Sequence, residues 1–184
     1  MTEPDEISAR FNPTYRYSLE YPDSWEDFPT WSIPPRSDVH PAIDLSFEMN
    51  THPRNREAWS GLWLKPIPNG NPQHLSIWVG VDERQPISFE EFRRLFQASV
   101  ETRGERFDGA RPDFMLDGFP AWEVRWSVGD VRFNRLVVAF RDGLRYVLQL
   151  GGIEPELSEH TPAFEAMLAS FRFIDEGPGE GEDE

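Results

Sequence analysis

The sequence predicts an α+β fold, an antiparallel sheet accompanied by two helices. Apolar and polar residues alternate in several short runs, as in strands with one face in a core. Two other stretches carry apolar residues at helical spacing behind recognisable helix starts. Gly129-Asp130 and Asp142-Gly143 separate three long neighbouring runs by turns, so these three strands read as antiparallel.

Residues 1–13 lack periodicity and read as a flexible N-terminal arm. Tyr15, Tyr17, Leu19 and Tyr21 then alternate with Arg16, Ser18 and Glu20. This run reads as an edge strand stopped by Pro22, with Trp25 turned back toward the core. A second strand is expected where Ile43, Leu45, Phe47 and Met49 alternate with Asp44, Ser46 and Glu48. Residues 51–73 are rich in proline, asparagine and glycine and read as a long loop, with a short helix or strand near 59–64. Leu75, Ile77, Val79 and Val81 mark the next strand. Ser88-Phe89-Glu90-Glu91 is a capping box, followed by Phe92, Phe96 and Val100 on one helical face. Trp122, Val124, Trp126 and Val128 line one side of a long strand. A two-residue turn at Gly129-Asp130 leads into 131–140, which is apolar on both sides toward its end, as a central strand would be. Leu144, Tyr146, Leu148 and Leu150 run back. The last helix is expected to open at Thr161-Pro162, since proline suits the first helical position. Phe164, Met167, Leu168 and Phe171 then face inward. The tail, 175–184, has no apolar residue and is expected to be disordered. The organisation is thus an arm (1–13), one domain (14–174) and an acidic tail (175–184).

The chain has 184 residues, enough for a core without disulfides or metal. It has no cysteine, which excludes disulfide scaffolds, thiolate metal sites and cysteine nucleophiles. The net charge of −15 disfavours nucleic acid and anionic membranes as partners. Seventeen arginines stand against one lysine, Lys65, which fits a GC-rich genome or a salt-rich cytoplasm. No run is apolar enough for a transmembrane segment. The acidic start at 1–6 has no export-signal character, so a cytoplasmic location is expected.

The sequence has no nucleophile elbow, zinc-protease motif or phosphate-binding loop. Its four histidines, His40, His52, His74 and His160, do not fall at metal-ligand spacing. Glu154, Glu156, Glu159 and His160 cluster before the last helix. Such acids could form a weak calcium site, but they read more simply as complements to a helix dipole. No catalytic residue, metal or cofactor is therefore expected. Of the seven tryptophans, Trp25, Trp122 and Trp126 read as core. Trp59 and Trp63 lie near Arg54 and Arg56 in the long loop. Tryptophan with arginine is typical of binding hot spots, so these four are the candidate partner contacts, against the alternative of a lid folded over the sheet.

Four pieces carry a resemblance: Tyr21-Pro22-Asp23-Ser24-Trp25, Ser88-Phe89-Glu90-Glu91-Phe92, Leu116-Asp117-Gly118-Phe119-Pro120-Ala121, and residues 164–173. In this order the chain resembles the PsbP-like family, whose fold is shared with the Ran-binding Mog-type proteins and DcrB, over roughly residues 15–174. The resemblance implies an antiparallel sheet sandwiched between helices (α/β/α) and no enzyme activity. It implies a non-enzymatic binding or accessory protein acting on a protein partner. The alternatives are a small-ligand or cation-binding module, as in photosystem extrinsic subunits, and a DcrB-like chaperone for secretion effectors. The 51–73 loop and the acidic tail match neither pattern.

Overall fold

The alternating runs pair as antiparallel strands in the computed structural model, which describes residues 6–12, 15–22, 26–29, 60–63, 75–83 and 85–175. The elements are β1 (Ile7–Asn12), β2 (Tyr17–Pro22), β3 (Glu26–Pro29), β4 (Ser60–Trp63), β5 (Leu75–Glu83), α1 (Phe89–Thr102), β6 (Arg106–Leu116), β7 (Phe119–Val128), β8 (Arg132–Arg141), β9 (Leu144–Ile153), α2 (Glu156–Ser170) and β10 (Arg172–Phe173). A seven-stranded sheet has the order β3-β4-β5-β9-β8-β7-β6, and a three-stranded sheet the order β1-β2-β10. The expected strand at 43–49, Trp25 and tail residues 176–184 lie outside the described residues.

Helix α1 covers one face of the large sheet. Phe92, Phe96 and Val100 pack on Val124, Trp126, Leu136, Val138 and Val147. Ser88 caps this helix, its Oγ accepting from the Glu91 amide at 3.2 Å, as the capping box predicts. Helix α2 and the small sheet cover the other face. There Tyr17, Leu19, Phe164, Met167 and Phe171 pack against Ile77, Val79, Val137, Tyr146 and Leu148. Residues 137 and 138 of β8 therefore belong to opposite cores, and both are buried.

Several expectations need correction. Ile7–Asn12, read as part of the arm, is a strand antiparallel to β2. Its alternating apolar residues, Ile7 and Phe11, face outward and are exposed, so it is held by pairing rather than by a buried stripe. The strand expected at an edge, β2, lies between β1 and β10, because one neighbour was hidden in the arm and the other is two residues long. Helix α2 begins at Glu156, not Thr161. Its first turns are polar, and Glu154 ties them down by accepting from the Ser158 amide at 3.2 Å. Pro162 thus stands inside the helix, where it removes one backbone donor. The turn after β7 has three residues rather than two, since Val128 pairs with Arg132.

The turns after β6 and β8 do have two residues. Asp117 and Gly118 (φ 48° and 77°) and Asp142 and Gly143 (φ 53° and 75°) take the left-handed conformations that such hairpins require. Asp117 also accepts from the Phe173 amide at 2.8 Å and so anchors β10. Nearby, Arg141 lies over the rings of Phe119 (4.3 Å) and Phe173 (4.9 Å) and pairs with Asp175.

Tyr146 links the two layers. Its hydroxyl donates to the Tyr15 carbonyl at 2.8 Å, and its ring is 1% exposed. Burial pushes its pKa up to about 12 from the ordinary 10.0, against opposing pulls from Arg16 and Arg141. The folded state therefore holds this proton more tightly than the unfolded chain. The corresponding stability is complete below pH 10 and is lost as pH rises toward about 12. Tyr146→Phe should lower stability by about 1 kcal/mol at neutral pH through the lost hydrogen bond. It should also flatten the decline between those two pH values. Urea midpoints of both proteins across pH 8–12 check this, and parallel curves would contradict it.

Candidate functional site

The end of the large sheet formed by β6, β7 and β8 gathers four arginines, each paired with a carboxylate. Cross-strand partners share a face of the sheet. Arg111 is opposite Glu123, Arg106 opposite Ser127, and Arg125 opposite Arg135. The four arginines therefore stand on the face that α2 covers. Like charges directly opposite each other destabilise a strand pair. Glu123, two residues from Arg125, offsets this cost.

Glu123 is only 2% exposed and accepts from three guanidinium groups. Arg125 reaches Oε1 through Nε at 2.8 Å and Nη2 at 2.7 Å. Arg135 reaches Oε2 through Nε and Nη2, each at 2.7 Å. Arg111 adds a longer contact to Oε2 at 3.3 Å. Arg135 is 12% exposed, lies over the Phe164 ring at 5.5 Å, and also pairs with Glu165 of α2. By contrast, Arg125 is 56% exposed and presents its outer edge to solvent. The carboxylate thus acts as a peg that sets the directions of the arginines.

Above the peg, a groove of about 420 Å3 opens between α2 and the sheet. Its charged lining is Arg106, Asp108, Arg125, Arg135 and Glu165, and its apolar lining includes Phe133, Leu150 and Leu157. Leu157, Thr161 and Glu165 are four residues apart and form the wall contributed by α2. Arg106 is held by Asp108 at 2.6 Å and lies 3.5 Å from Asp130. The hydrogen bond to Asp108, followed by its charge, pushes the Arg106 guanidinium above its ordinary pKa, while desolvation opposes this. Ser127, opposite Arg106 and Phe133, is fully buried, and its Oγ has no hydrogen-bond partner among the described residues.

These groups are suited to recognition. Arginine stays protonated at any physiological pH and offers a planar fork of donors matched to a carboxylate. It does not shuttle protons. The lining carboxylates, Asp108 and Glu165, and the buried Glu123 are all committed to ion pairs.

None of the described residues that line this groove is one of the expected contact residues. Arg54, Arg56 and Trp59 lie outside the described residues. Trp63 ends β4, opposite Glu26, and its side chain is likewise outside them. Strand β4 lies toward the other end of the sheet from β6–β8. The acids before the last helix belong to its start, with Glu156 and Glu159 in the first turn. Among the described residues, no group of three or more such side chains is placed to hold a metal ion. No helix among them is long and apolar enough to cross a membrane.

No protein-family profile and no curated protein sequence matches the chain. Solved structures do. Cyanobacterial PsbP (CyanoP) from Synechocystis sp. PCC 6803 aligns with a TM-score of 0.58 at 13% identity, covering 94% of this chain and 95% of that one. LpqN of Mycobacterium tuberculosis, involved in cell envelope biogenesis, aligns at 0.48 with 16% identity, covering 94% and 87%. The Ran-binding protein Mog1p of Saccharomyces cerevisiae aligns at 0.47 with 10% identity, covering 94% and 97%. At these identities the likeness concerns architecture, and with two helices enclosing the large antiparallel sheet the chain has the PsbP-like fold.

Proposed function

We propose that the protein is a non-enzymatic accessory protein that holds a protein partner on its PsbP-like scaffold, through the groove between α2 and β6–β8. The observation that carries this reading is the Glu123 peg with its three arginines. It keeps donors fixed at the edge of a concave, partly apolar surface, and it includes no group suited to acid–base work. Preorganised arginine beside apolar floor is the composition of binding hot spots. The cation-binding alternative gains nothing from this site, since its carboxylates are already paired with guanidinium groups.

Arg54, Arg56, Trp59 and Trp63 are proposed as a second contact, at β4 and the residues that precede it. A photo-crosslinking residue placed at 161 or at 63, in the full chain and in the cells that make it, tests both. The same protein captured from position 161 on repeated trials, and lost when Arg125→Ala is added, is the expected result. Capture from 63 alone would move the interface to the 51–73 segment. Capture from neither, with the fold intact, would contradict the proposal.

A further inference from the structure

We infer that the groove takes an acidic, partly apolar segment in extended conformation, with carboxylates two residues apart on either side of an apolar side chain. This rests on the function proposed above and specifies the chemistry of its partner. Two features lead to it. First, Arg106 and Arg125 both line the groove and are each more than half exposed, so their outer donors are open to an incoming acceptor. They stand on the adjacent strands β6 and β7, one side-chain step apart along the strand direction, since Arg106 pairs with Ser127 and Arg125 stands two residues before it. Such a step is about 7 Å, the spacing of residues i and i+2 in an extended strand. Second, Phe133 lies across Ser127 from Arg106, and Leu150 lies across Arg135 from Arg125; with Leu157 of α2 they give the groove an apolar side opposite these arginines, where the alternate side chains of an extended segment fall.

Charge selects the occupant. The net charge of −15 repels every anion at long range and a densely charged polyanion most, so it disfavours nucleic acid more than a segment with two spaced carboxylates. Asp108 and Glu165 in the groove lining repel it again at short range. A segment with two spaced carboxylates meets the arginines without bringing a continuous anionic backbone.

The test is fluorescence anisotropy with the full chain and a labelled eight-residue peptide of alternating glutamate and leucine. Peptides of alternating glutamine and leucine, and of lysine and leucine, serve as controls. The acidic peptide should bind at least tenfold more tightly than either control, and its Kd should rise with salt. Arg125→Ala and Arg106→Ala should each weaken binding about tenfold, the loss of one charge-assisted contact. Arg94→Ala, on exposed α1, should leave it unchanged, and circular dichroism should show all variants folded. Equal affinity for the three peptides, or no effect of the two groove variants, would overturn the inference. So would self-association of the chain through this groove in place of peptide binding. A protein crosslinked from position 161 without affinity for the acidic peptide would end this inference and leave the proposed function standing. Peptide affinity with no protein crosslinked would uphold the chemistry of the groove and overturn the protein partner.

Discussion

Glu123→Ala should destabilise the protein by about 3 kcal/mol, the low end of the range for breaking a buried ion pair. Arg135, 12% exposed, loses both of its bonds to Oε2 and keeps Glu165 at the helix surface and the Phe164 ring. Arg111 and Arg125 are about half exposed and regain water, which holds the loss at the low end. The direct opposition of Arg125 and Arg135 across β7 and β8 is then left without its carboxylate. The double change Glu123→Leu with Arg135→Met removes the charge and its partner together. It should recover most of the stability, because apolar pairs of similar volume substitute well for buried ion pairs. It should not recover peptide binding, since Arg125 has lost its orienting partner. Urea unfolding of the single and double variants measures the first part, and anisotropy the second. A Glu123→Ala protein as stable as the parent would show that the peg is not structural.

Phe171→Ala should cost about 3–5 kcal/mol, as expected for truncating a fully buried aromatic residue. Phe171 ends α2 with extended backbone (ψ 131°) and turns the chain into β10. Its ring stacks on Tyr17 at 5.6 Å and meets Tyr146 and Phe173 edge-on at 6.1 and 5.0 Å. Removing it opens a cavity where the small sheet, α2 and β9 meet, so the loss should spread to β2 and β10. Phe171→Leu should cost clearly less, since it retains most of the volume. Thermal unfolding of both variants checks the order. An equal loss would place the energetic weight on the ring contacts rather than on the filled space.

The fold was legible where one periodicity persisted. The strands at 17–22, 75–83 and 144–153 show it, as does α1 with its capping box. Strand β6 was not legible, because Gly109 and Pro112 interrupt the alternation, with register shifts between Phe107 and Gly109 and between Arg111 and Phe114. The start of α2 was hidden by polar first turns and by a proline that looks like a helix opening.

The groove escaped the sequence for a single geometric reason. Trp122, Val124 and Trp126 mark one side of β7 as core, which leaves Glu123 and Arg125 on the side expected to be wet. A two-residue turn at Gly129-Asp130 would pair Arg125 with Asn134. The actual turn has one more residue, and it brings Arg125 opposite Arg135. In a hairpin, a one-residue slip moves every side chain to the other face. With the turn counted correctly, two arginines opposite each other and a glutamate two positions away would have marked the site.

The central claim is that this groove, rather than the 51–73 segment, receives the ligand. Amide hydrogen exchange of the full chain with and without the glutamate–leucine peptide tests it most directly. Slower exchange in the first turns of α2, around residues 156–165, and at the facing ends of β7 and β8 is the predicted result. Protection confined to residues 51–73, with α2 and the β7–β8 hairpin unchanged, would contradict it.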